Sequence, residues 1–345
     1  MSAVLIVVDP GLHTTLQDFG RPGYQNVGVP VSGALDPDSL AVANALVGNA
    51  AGTAALELRY VGPALEVAAG SARVALAGAS GRIELTVGGG SAQIPAGRAV
   101  TVPQGARVRV PALADSATAY LAVEGGFDVA AVLGSRSTYV RGALGGHNGG
   151  TLAAGDRLAL NREAASDGPD LAVREPPDLR PPERVRVVLG PQDSYFTDDA
   201  IATFLSAEWT ISTDADRMGA RLDGPALAHR DSFNIVSDGI ATGAVQVPGS
   251  GQPILLLADR QTTGGYPKIA TVISADLPAV GRMRPGDRFR FAAVPAAEAV
   301  EIRRRHDKRL ARIIRAIGPA GADSALDLDA LYRENLVSGV VGPFE

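Results

Sequence analysis

One ten-residue stretch, residues 259–268 with the sequence DRQTTGGYPK, concentrates side chains that could do chemistry. It holds a carboxylate, a guanidinium, an amide, two hydroxyls, a phenol and an ammonium, with two adjacent glycines between them. Apolar runs of strand length stand on both sides, at 253–258 and 269–273. Polar groups at the ends of buried strands are typical of small-molecule sites, so we expect such a site here.

Lys268 is one of only two lysines in a chain that has 32 lysines and arginines together, and Lys308 is the other. An ammonium is a compact charge on a flexible stem, and burial can lower the pKa of a lysine enough for proton transfer. We therefore expect a functional role for Lys268. The alternative, a solvated strand end in a chain that favours arginine, stays open at this point.

Three further polar clusters occur at 17–21, 214–222 and 237–252. In the second cluster, Arg217 and Arg221 would suit a carboxylate or phosphate ligand. Asp216 and Arg217 could equally form a structural ion pair, and the sequence leaves both alternatives open.

Several function classes are disfavoured by what the sequence lacks. It contains no P-loop motif, no H-E-x-x-H metal motif and no G-x-S-x-G nucleophile elbow. Four scattered histidines predict no zinc site, and neither lysine is flanked by Met, as a biotin-carrying lysine would be. The net charge of -5, with no basic face, argues against nucleic-acid binding.

The 345 residues are expected to form two β-rich domains and a helical tail. Short strands with many Gly and Pro residues fill most of the chain, and a polar linker with two Pro-Pro pairs spans 161–183. The words GPAL and GDR recur in the same order on both sides of the linker, which favours two barrels of similar topology. The predicted boundaries are 1–170, 171–295 and 296–345.

Two short helices are predicted, the first begun by an Asp36 cap and Pro37 and the second by a Thr197 cap. An Arg-rich helix is predicted from 296 to 317, and we expect it to be a surface helix.

The N-terminus lacks the pattern of a signal peptide, and no apolar run reaches membrane length, so we expect a cytoplasmic protein.

Four ordered motifs resemble one known family. They are residues 11–21 (GLHTTLQDFGR), 32–36 (SGALD), 216–219 (DRMG) and 261–267 (QTTGGYP). The chain is similar, from about Val4 to Phe291, to the biotin-dependent carboxyltransferase or allophanate hydrolase subunit 2 family. This family includes the C subunit of bacterial 5-oxoprolinase, an antagonist of a sporulation-kinase inhibitor, and part of the carboxyltransferase region of urea carboxylase.

The resemblance implies a mainly β fold of two tandem cyclophilin-like β-barrels. It also implies a subunit-B-like partner and a subunit-A-like protein, which together complete an ATP-dependent opening of 5-oxoproline to L-glutamate. One alternative is a carboxyltransferase component that uses biotin carried by another chain. Another is a non-enzymatic regulator that binds a kinase-inhibitor-like partner.

Residue roles follow from the polar clusters and from this resemblance. The predicted catalytic residues, for proton transfer or charge neutralisation, are Lys268, Asp259 and Asp18. The predicted substrate-binding residues are Gln17, Arg21, Asp216, Arg217, Arg221, Gln246, Thr262, Thr263 and Tyr266. We predict no metal ligands, ATP only at the level of the complex, and biotin only if another chain supplies it.

Overall fold

A computed structural model describes residues 2–320, and most of its regular structure is β-strand. The strands before the linker are, in chain order, β1 Val4–Asp9, β2 His13–Gln17, β3 Ala55–Arg59, β4 Ala64–Ala69, β5 Ala72–Ala77, β6 Arg82–Val87, β7 Gly90–Pro95, β8 Ala99–Val102, β9 Arg107–Arg109, β10 Thr118–Val123 and β11 Arg157–Ala159.

These strands form two sheets around one hydrophobic core. One sheet has the spatial order β11-β1-β4-β9-β6-β7 and the other the order β2-β3-β10-β5-β8. In β6, Ile83 and Leu85 are buried in this core, whereas Arg82 and Thr86 on the opposite face are exposed. This period of two follows from the pleat of a strand, and it explains why a half-buried sheet alternates apolar and polar residues.

The second half contains the remaining strands: β12 Leu171–Ala172, β13 Arg184–Leu189, β14 Trp209–Ala215, β15 Gly219–Asp223, β16 Asp238–Gly239, β17 Ala244–Gln246, β18 Ile254–Leu256, β19 Thr263–Gly264, β20 Lys268–Val272, β21 Arg288–Ala293 and β22 Gly318–Pro319. Seven of them close into a barrel in the order β13-β20-β17-β18-β15-β14-β21. The rings of Phe204, Trp209, Phe289 and Phe291 pack in its core.

In the part of the chain that the structure describes, four α-helices accompany the strands: α1 Pro37–Leu46, α2 Asp198–Ser206, α3 Leu277–Arg282 and α4 Ala296–Arg315. The caps predicted for the first two are present. Asp36 accepts hydrogen bonds from the backbone N–H groups of Asp38 and Ser39, and Thr197 accepts one from Ala200. Short 3-10 turns lie at Gln25–Val27, Val140–Gly142 and Asp193–Tyr195.

Helix α4 packs on the body of the protein rather than projecting from it. Ile313 is buried in a cluster with Leu40 of α1, and Ile302 is buried in a cluster with Ile273 from the second half. His306 Nε2 also lies 2.5 Å from Asp38 Oδ2. The helix therefore bridges elements from both halves of the chain.

The prediction of a mainly β fold with a few short helices is confirmed, and the second half is a closed barrel. The strands of the first half form two separate sheets, so the similarity of topology between the halves stays a prediction, as do the boundaries at 170 and 295. The helix predicted over 296–317 is α4. The rest of the predicted tail, from residue 321 onward, lies outside the described residues.

Within residues 2–320, no helix combines the length and the apolar character that a membrane crossing requires.

Candidate functional site

A cleft of about 500 Å³ lies on the barrel face that points away from the core. The period of two in the strands creates it. In β15, Ala220 and Leu222 pack in the core, whereas Gly219 and Arg221 line the cleft. The same alternation places Ile254 and Leu256 of β18 and Gln246 of β17 in the cleft. "The cleft" below means this space and its lining.

The lining of the cleft is mixed in polarity. Its apolar members are Ala215, Met218, Gly219, Ile254 and Leu256. Its polar and charged members are Arg141, Thr213, Asp214, Asp216, Arg221, Gln246, Gln261 and Tyr266. An apolar floor with a few convergent polar groups is the usual composition of a small-molecule site.

Two glutamines form a hydrogen-bonded pair at one side of the cleft. Gln246 is 1% exposed, and its Nε2 donates to the backbone oxygen of Tyr266 at 3.3 Å. Gln261 Nε2 in turn donates to Gln246 Oε1 at 3.3 Å. The side chain of Tyr266, 40% exposed, lies beside them in the lining. The two side-chain amides are therefore held together, and the phenol of Tyr266 lies beside them.

Charged groups form a second part of the lining. Arg141, from the Val140–Gly142 turn of the first half, donates to Asp216 Oδ2 at 3.0 Å. Arg221 Nε lies 3.8 Å from Asp214 Oδ2. All four side chains are more than half exposed, so these ion pairs contribute little to stability and can open to admit a ligand.

Four of the predicted substrate-binding residues thus meet in one cleft: Asp216, Arg221, Gln246 and Tyr266. The sequence interpretation missed Arg141, Asp214 and Gln261 as site residues. Gln261 stands inside the QTTGGYP motif, so its position was a usable signal. Arg141 carried no local signal, because it reaches the cleft only through the packing of the two halves.

Thr262 and Thr263 belong to the same loop but lie outside this lining. Thr263 is exposed and starts β19, which pairs with β16 of the neighbouring loop. The backbone oxygen of Thr262 accepts a hydrogen bond from the N–H of Ile240 at 3.0 Å. The backbone of both threonines therefore holds the loop against its neighbour.

Lys268 is buried, not solvated: its side chain is 2% exposed. Its Nζ donates to Asp238 Oδ2 at 2.9 Å, and this bond, with one from Gln192, lowers the pKa of the Asp238 carboxyl. Lys268 pairs with Gln246 across the ladder between β20 and β17, which places it beside the cleft but outside its lining. The solvated-strand-end alternative is therefore wrong.

Arg217 lies inside the protein, at a junction between the halves that we define by Gly33, Glu57, Arg217 and Asp259. Its Nε and Nη2 donate to the two oxygens of Asp259 at 2.8 and 3.1 Å, and Nη2 also donates to the backbone oxygen of Gly33 at 2.7 Å. Its Nη1 donates to Glu57, which is fully buried. The ion pair considered between Asp216 and Arg217 is therefore absent from the described structure, since each residue has a different partner.

The junction charges stabilise one another. Burial alone would lower the pKa of Arg217, but Asp259 and Glu57 raise it overall. Burial alone would raise the pKa of Glu57, but Arg217 and the Tyr120 hydroxyl lower it overall. Both carboxylate oxygens of Asp259 are occupied by Arg217. The structure thus places Asp259, predicted as a catalytic residue, and Arg217, predicted to bind substrate, at the junction rather than in the cleft.

The 17–21 cluster organises the segment that leads to Arg141. Asp18 accepts hydrogen bonds from the Ser135 hydroxyl at 2.6 Å, from the Ser137 hydroxyl at 2.5 Å and from the Arg136 N–H at 2.6 Å. Gln17, which is fully buried, donates to the backbone oxygen of Thr138 at 3.0 Å.

Arg21 completes this cluster. It is 1% exposed and donates to the backbone oxygen of Ser137. Burial lowers the pKa of Arg21, although the nearby charges of Asp18 and Asp259 oppose that shift. Gln17, Asp18 and Arg21, predicted as substrate-binding or catalytic residues, are placed by the structure where they hold the chain that presents Arg141, outside the cleft lining.

Comparison with known proteins identifies a domain family and named relatives. The model of the carboxyltransferase domain, subdomain A and B, matches residues 27–293. The C subunit of 5-oxoprolinase from Escherichia coli strain K12 is 34% identical over 305 residues, which is 87% of this chain and 94% of that protein. The urea amidolyase of Saccharomyces cerevisiae is 32% identical over 301 residues, which is 82% of this chain but only 16% of the yeast protein.

A solved structure agrees with these matches. The crystal structure of the Kluyveromyces lactis urea carboxylase superposes with a TM-score of 0.80 at 29% sequence identity. The superposition covers 94% of this chain and 30% of that chain. The relatives include a bacterial protein of similar length and much longer enzymes that contain an equivalent region.

Proposed function

The chain belongs to the family of the carboxyltransferase domain, subdomain A and B, and from this premise we propose that it is the C subunit of an ATP-dependent 5-oxoprolinase. The family members named above are enzymes or enzyme subunits. On this proposal the chain acts in the cytoplasm with a subunit-B-like and a subunit-A-like protein, and the complex opens 5-oxoproline to L-glutamate.

The observation that carries the proposal is the composition of the cleft. 5-Oxoproline is a small ring with a lactam at one end and a carboxylate at the other. The cleft offers amide groups at Gln246 and Gln261 and guanidinium groups at Arg141 and Arg221. Guanidinium groups bind carboxylates, and side-chain amides can both donate to and accept from a lactam. The volume of about 500 Å³ is sufficient for a molecule of this size.

Within this proposal the residues divide into two groups. Arg141, Arg221, Gln246 and Tyr266 contact the substrate. Gln17, Asp18 and Arg21 hold the segment of the first half that presents Arg141. Arg217, which bonds Glu57 and Asp259, joins the two halves beside the cleft. Lys268 stands beside Gln246 and supplies a fixed positive charge next to the cleft, paired with Asp238.

ATP does not fit the cleft itself. The two arginines of the lining face two aspartates, Asp214 and Asp216, so there is no excess of positive charge for a triphosphate. The sequence also has no P-loop. We therefore assign nucleotide binding to another subunit of the complex and derive no step of the reaction through ATP on this chain.

A second candidate function, carboxyl transfer from biotin, is favoured by the similarity to urea amidolyase and urea carboxylase. The ureido ring of biotin resembles a lactam in its hydrogen-bonding groups, so Gln246 and Gln261 would hold it in the same way. In that case another chain would carry the biotin, which supplies the carboxyl group that is transferred.

Reconstitution distinguishes the two candidates. The chain is co-expressed with its subunit-B-like and subunit-A-like neighbours, and glutamate formed from 5-oxoproline is measured with and without ATP. We expect ATP-dependent glutamate formation only when all three proteins are present. Glutamate formation by this chain alone, or none by the full complex, would contradict the proposal. Activity with urea that depends on a biotin carboxylase would support the second candidate instead.

A further inference from the structure

We infer that Gln261 selects ligands that carry an amide N–H, because its side-chain oxygen is a buried acceptor that the protein leaves without a donor. The inference extends the proposed function, since it concerns how the same cleft recognises its substrate. It assigns a specificity-determining role to a residue that the sequence interpretation did not single out.

The orientation of Gln261 follows from a short chain of hydrogen bonds. The amide nitrogen of Gln246 donates to the backbone oxygen of Tyr266, so the amide oxygen of Gln246 must be the atom that faces Gln261. An oxygen requires a donor, so Gln261 must turn its own nitrogen toward Gln246. A rotation of the Gln261 amide by 180° would bring its oxygen against the oxygen of Gln246, and both are acceptors. The amide therefore keeps its nitrogen toward Gln246, and Gln261 Oε1 is the group left without a partner.

No donor reaches that oxygen within residues 2–320. Gln261 Oε1 is buried and has no hydrogen-bond partner there, although the residue lines the cleft. A buried acceptor without a donor is unfavourable, and most such groups in native proteins are paired. A ligand N–H bound in the cleft would remove this penalty, whereas a ligand with an oxygen at the same place would increase it. A site of this kind discriminates strongly against analogues that lack the N–H.

Arg221 adds a second requirement for the ligand. Because its guanidinium is positively charged, it favours a ligand that carries a negative charge. Its Nε lies 3.8 Å from Asp214 Oδ2, beyond hydrogen-bonding distance, and its side chain is 54% exposed. A ligand carboxylate can therefore replace the weakly held Asp214 at little cost. The ligand class that fits both groups is a lactam or ureido ring that carries a carboxylate.

The test compares two probes on the full chain by calorimetry: 5-oxoproline and its lactone analogue, in which a ring oxygen replaces the N–H. We expect the lactam to bind at least roughly tenfold more tightly than the lactone. Gln261→Met removes the acceptor at nearly constant volume and should abolish this preference. Gln93→Met, at an exposed position on β7, is the matched control and should behave as the unaltered chain.

The results also separate this inference from the proposed function. The inference is overturned if the unaltered chain binds both probes equally or binds neither, or if Gln261→Met retains the preference for the lactam. Equal binding of the probes together with ATP-dependent turnover of the complex would overturn the inference alone. A clear lactam preference without any turnover would overturn the proposed function alone. Unfolding curves of each variant show whether any loss of binding reflects a loss of folding.

Discussion

Arg217 and Glu57 form a buried ion pair that joins the two halves of the chain, although 160 positions separate them in the sequence. Glu57 lies on β3 of the first half, and Arg217 stands between two strands of the C-terminal barrel. The pair is enclosed by further hydrogen bonds: Tyr120 and the backbone N–H of Leu35 donate to Glu57, and Arg217 donates to Asp259. The cleft depends on this junction, because its lining includes residues from both halves.

Removing Arg217 is expected to destabilise the protein strongly. Arg217→Met would leave Glu57 and Asp259 as buried carboxylates without their cation, and the free energy of unfolding should fall by about 3–5 kcal/mol. Urea denaturation measures this change. The matched control is Arg221→Met, at an exposed cleft position, where we expect a change within about 0.5 kcal/mol. Similar losses in both variants would contradict the structural role of Arg217.

Tyr120 is expected to make stability fall at alkaline pH. Burial, Glu57 and Asp36 raise the pKa of Tyr120 well above its usual value. Below the unfolded pKa of about 10 the hydroxyl is protonated in both states, and its contribution to stability is fully present. As the pH rises above that value the unfolded chain loses the proton while the folded protein retains it, so the free energy of unfolding decreases.

Tyr120→Phe removes the titrating group. We expect the alkaline decline of the free energy of unfolding to become shallower by up to about 1.4 kcal/mol per pH unit. Urea denaturation at a series of pH values from about 8 to 11 measures the slope. Equal slopes for the unaltered chain and Tyr120→Phe would show that Tyr120 does not titrate differently on folding.

Lys268 is expected to require an ammonium group. Its Nζ bonds Asp238 in a space that leaves 2% of the side chain exposed, so the planar guanidinium of Lys268→Arg must displace its neighbours. Turnover by the reconstituted complex should drop about 100-fold, because the larger group displaces Gln246, which pairs with Lys268 across the strand ladder and contacts the substrate in our proposal. Because the side chain is buried, we also expect Lys268→Arg to lower the melting temperature. A solvated lysine at a strand end, the alternative left open by the sequence, would not have this effect.

Lys308→Arg provides the control, since it changes the only other lysine, which is exposed on α4. It should leave turnover and melting temperature unchanged. Near-normal turnover in Lys268→Arg would show that the complex does not need the ammonium of Lys268.

Gly264 is expected to be required for the position of Gln246. A Cβ at Gly264 would lie 2.6 Å from Gln246 Nε2 and 2.8 Å from Ile240 Cδ1, so Gly264→Ala should displace the glutamine and weaken binding of 5-oxoproline. Gly265→Ala is the matched control in the same loop, because its nearest neighbour, the backbone oxygen of Ile235, would be 3.5 Å away. Calorimetric titration compares the two. Equal affinities would mean that the loop adjusts and that the close approach has no role.

The sequence by itself determined the local elements and the family. The Asp36 cap followed by Pro37 placed α1, alternating apolar residues placed many strands, and the polar loop at 259–268 indicated the side of the barrel where the cleft lies. These features depend on neighbouring residues, and backbone propensity, capping and burial period act over a few positions. The four family motifs were equally readable, because each is a short continuous segment.

Only the tertiary structure decided which charged groups meet. Asp216 and Arg217 are adjacent in sequence, yet Asp216 pairs with Arg141 and Arg217 pairs with Glu57 and Asp259. Both residues lie in the turn between β14 and β15, where the pleat of a strand does not set side-chain directions, so the partners of each are set by the strands and loops that pack beside it. The same packing buries Lys268 and brings Arg141 across from the first half to complete the cleft. Long-range pairing determines these contacts, and no local pattern in the sequence encodes it.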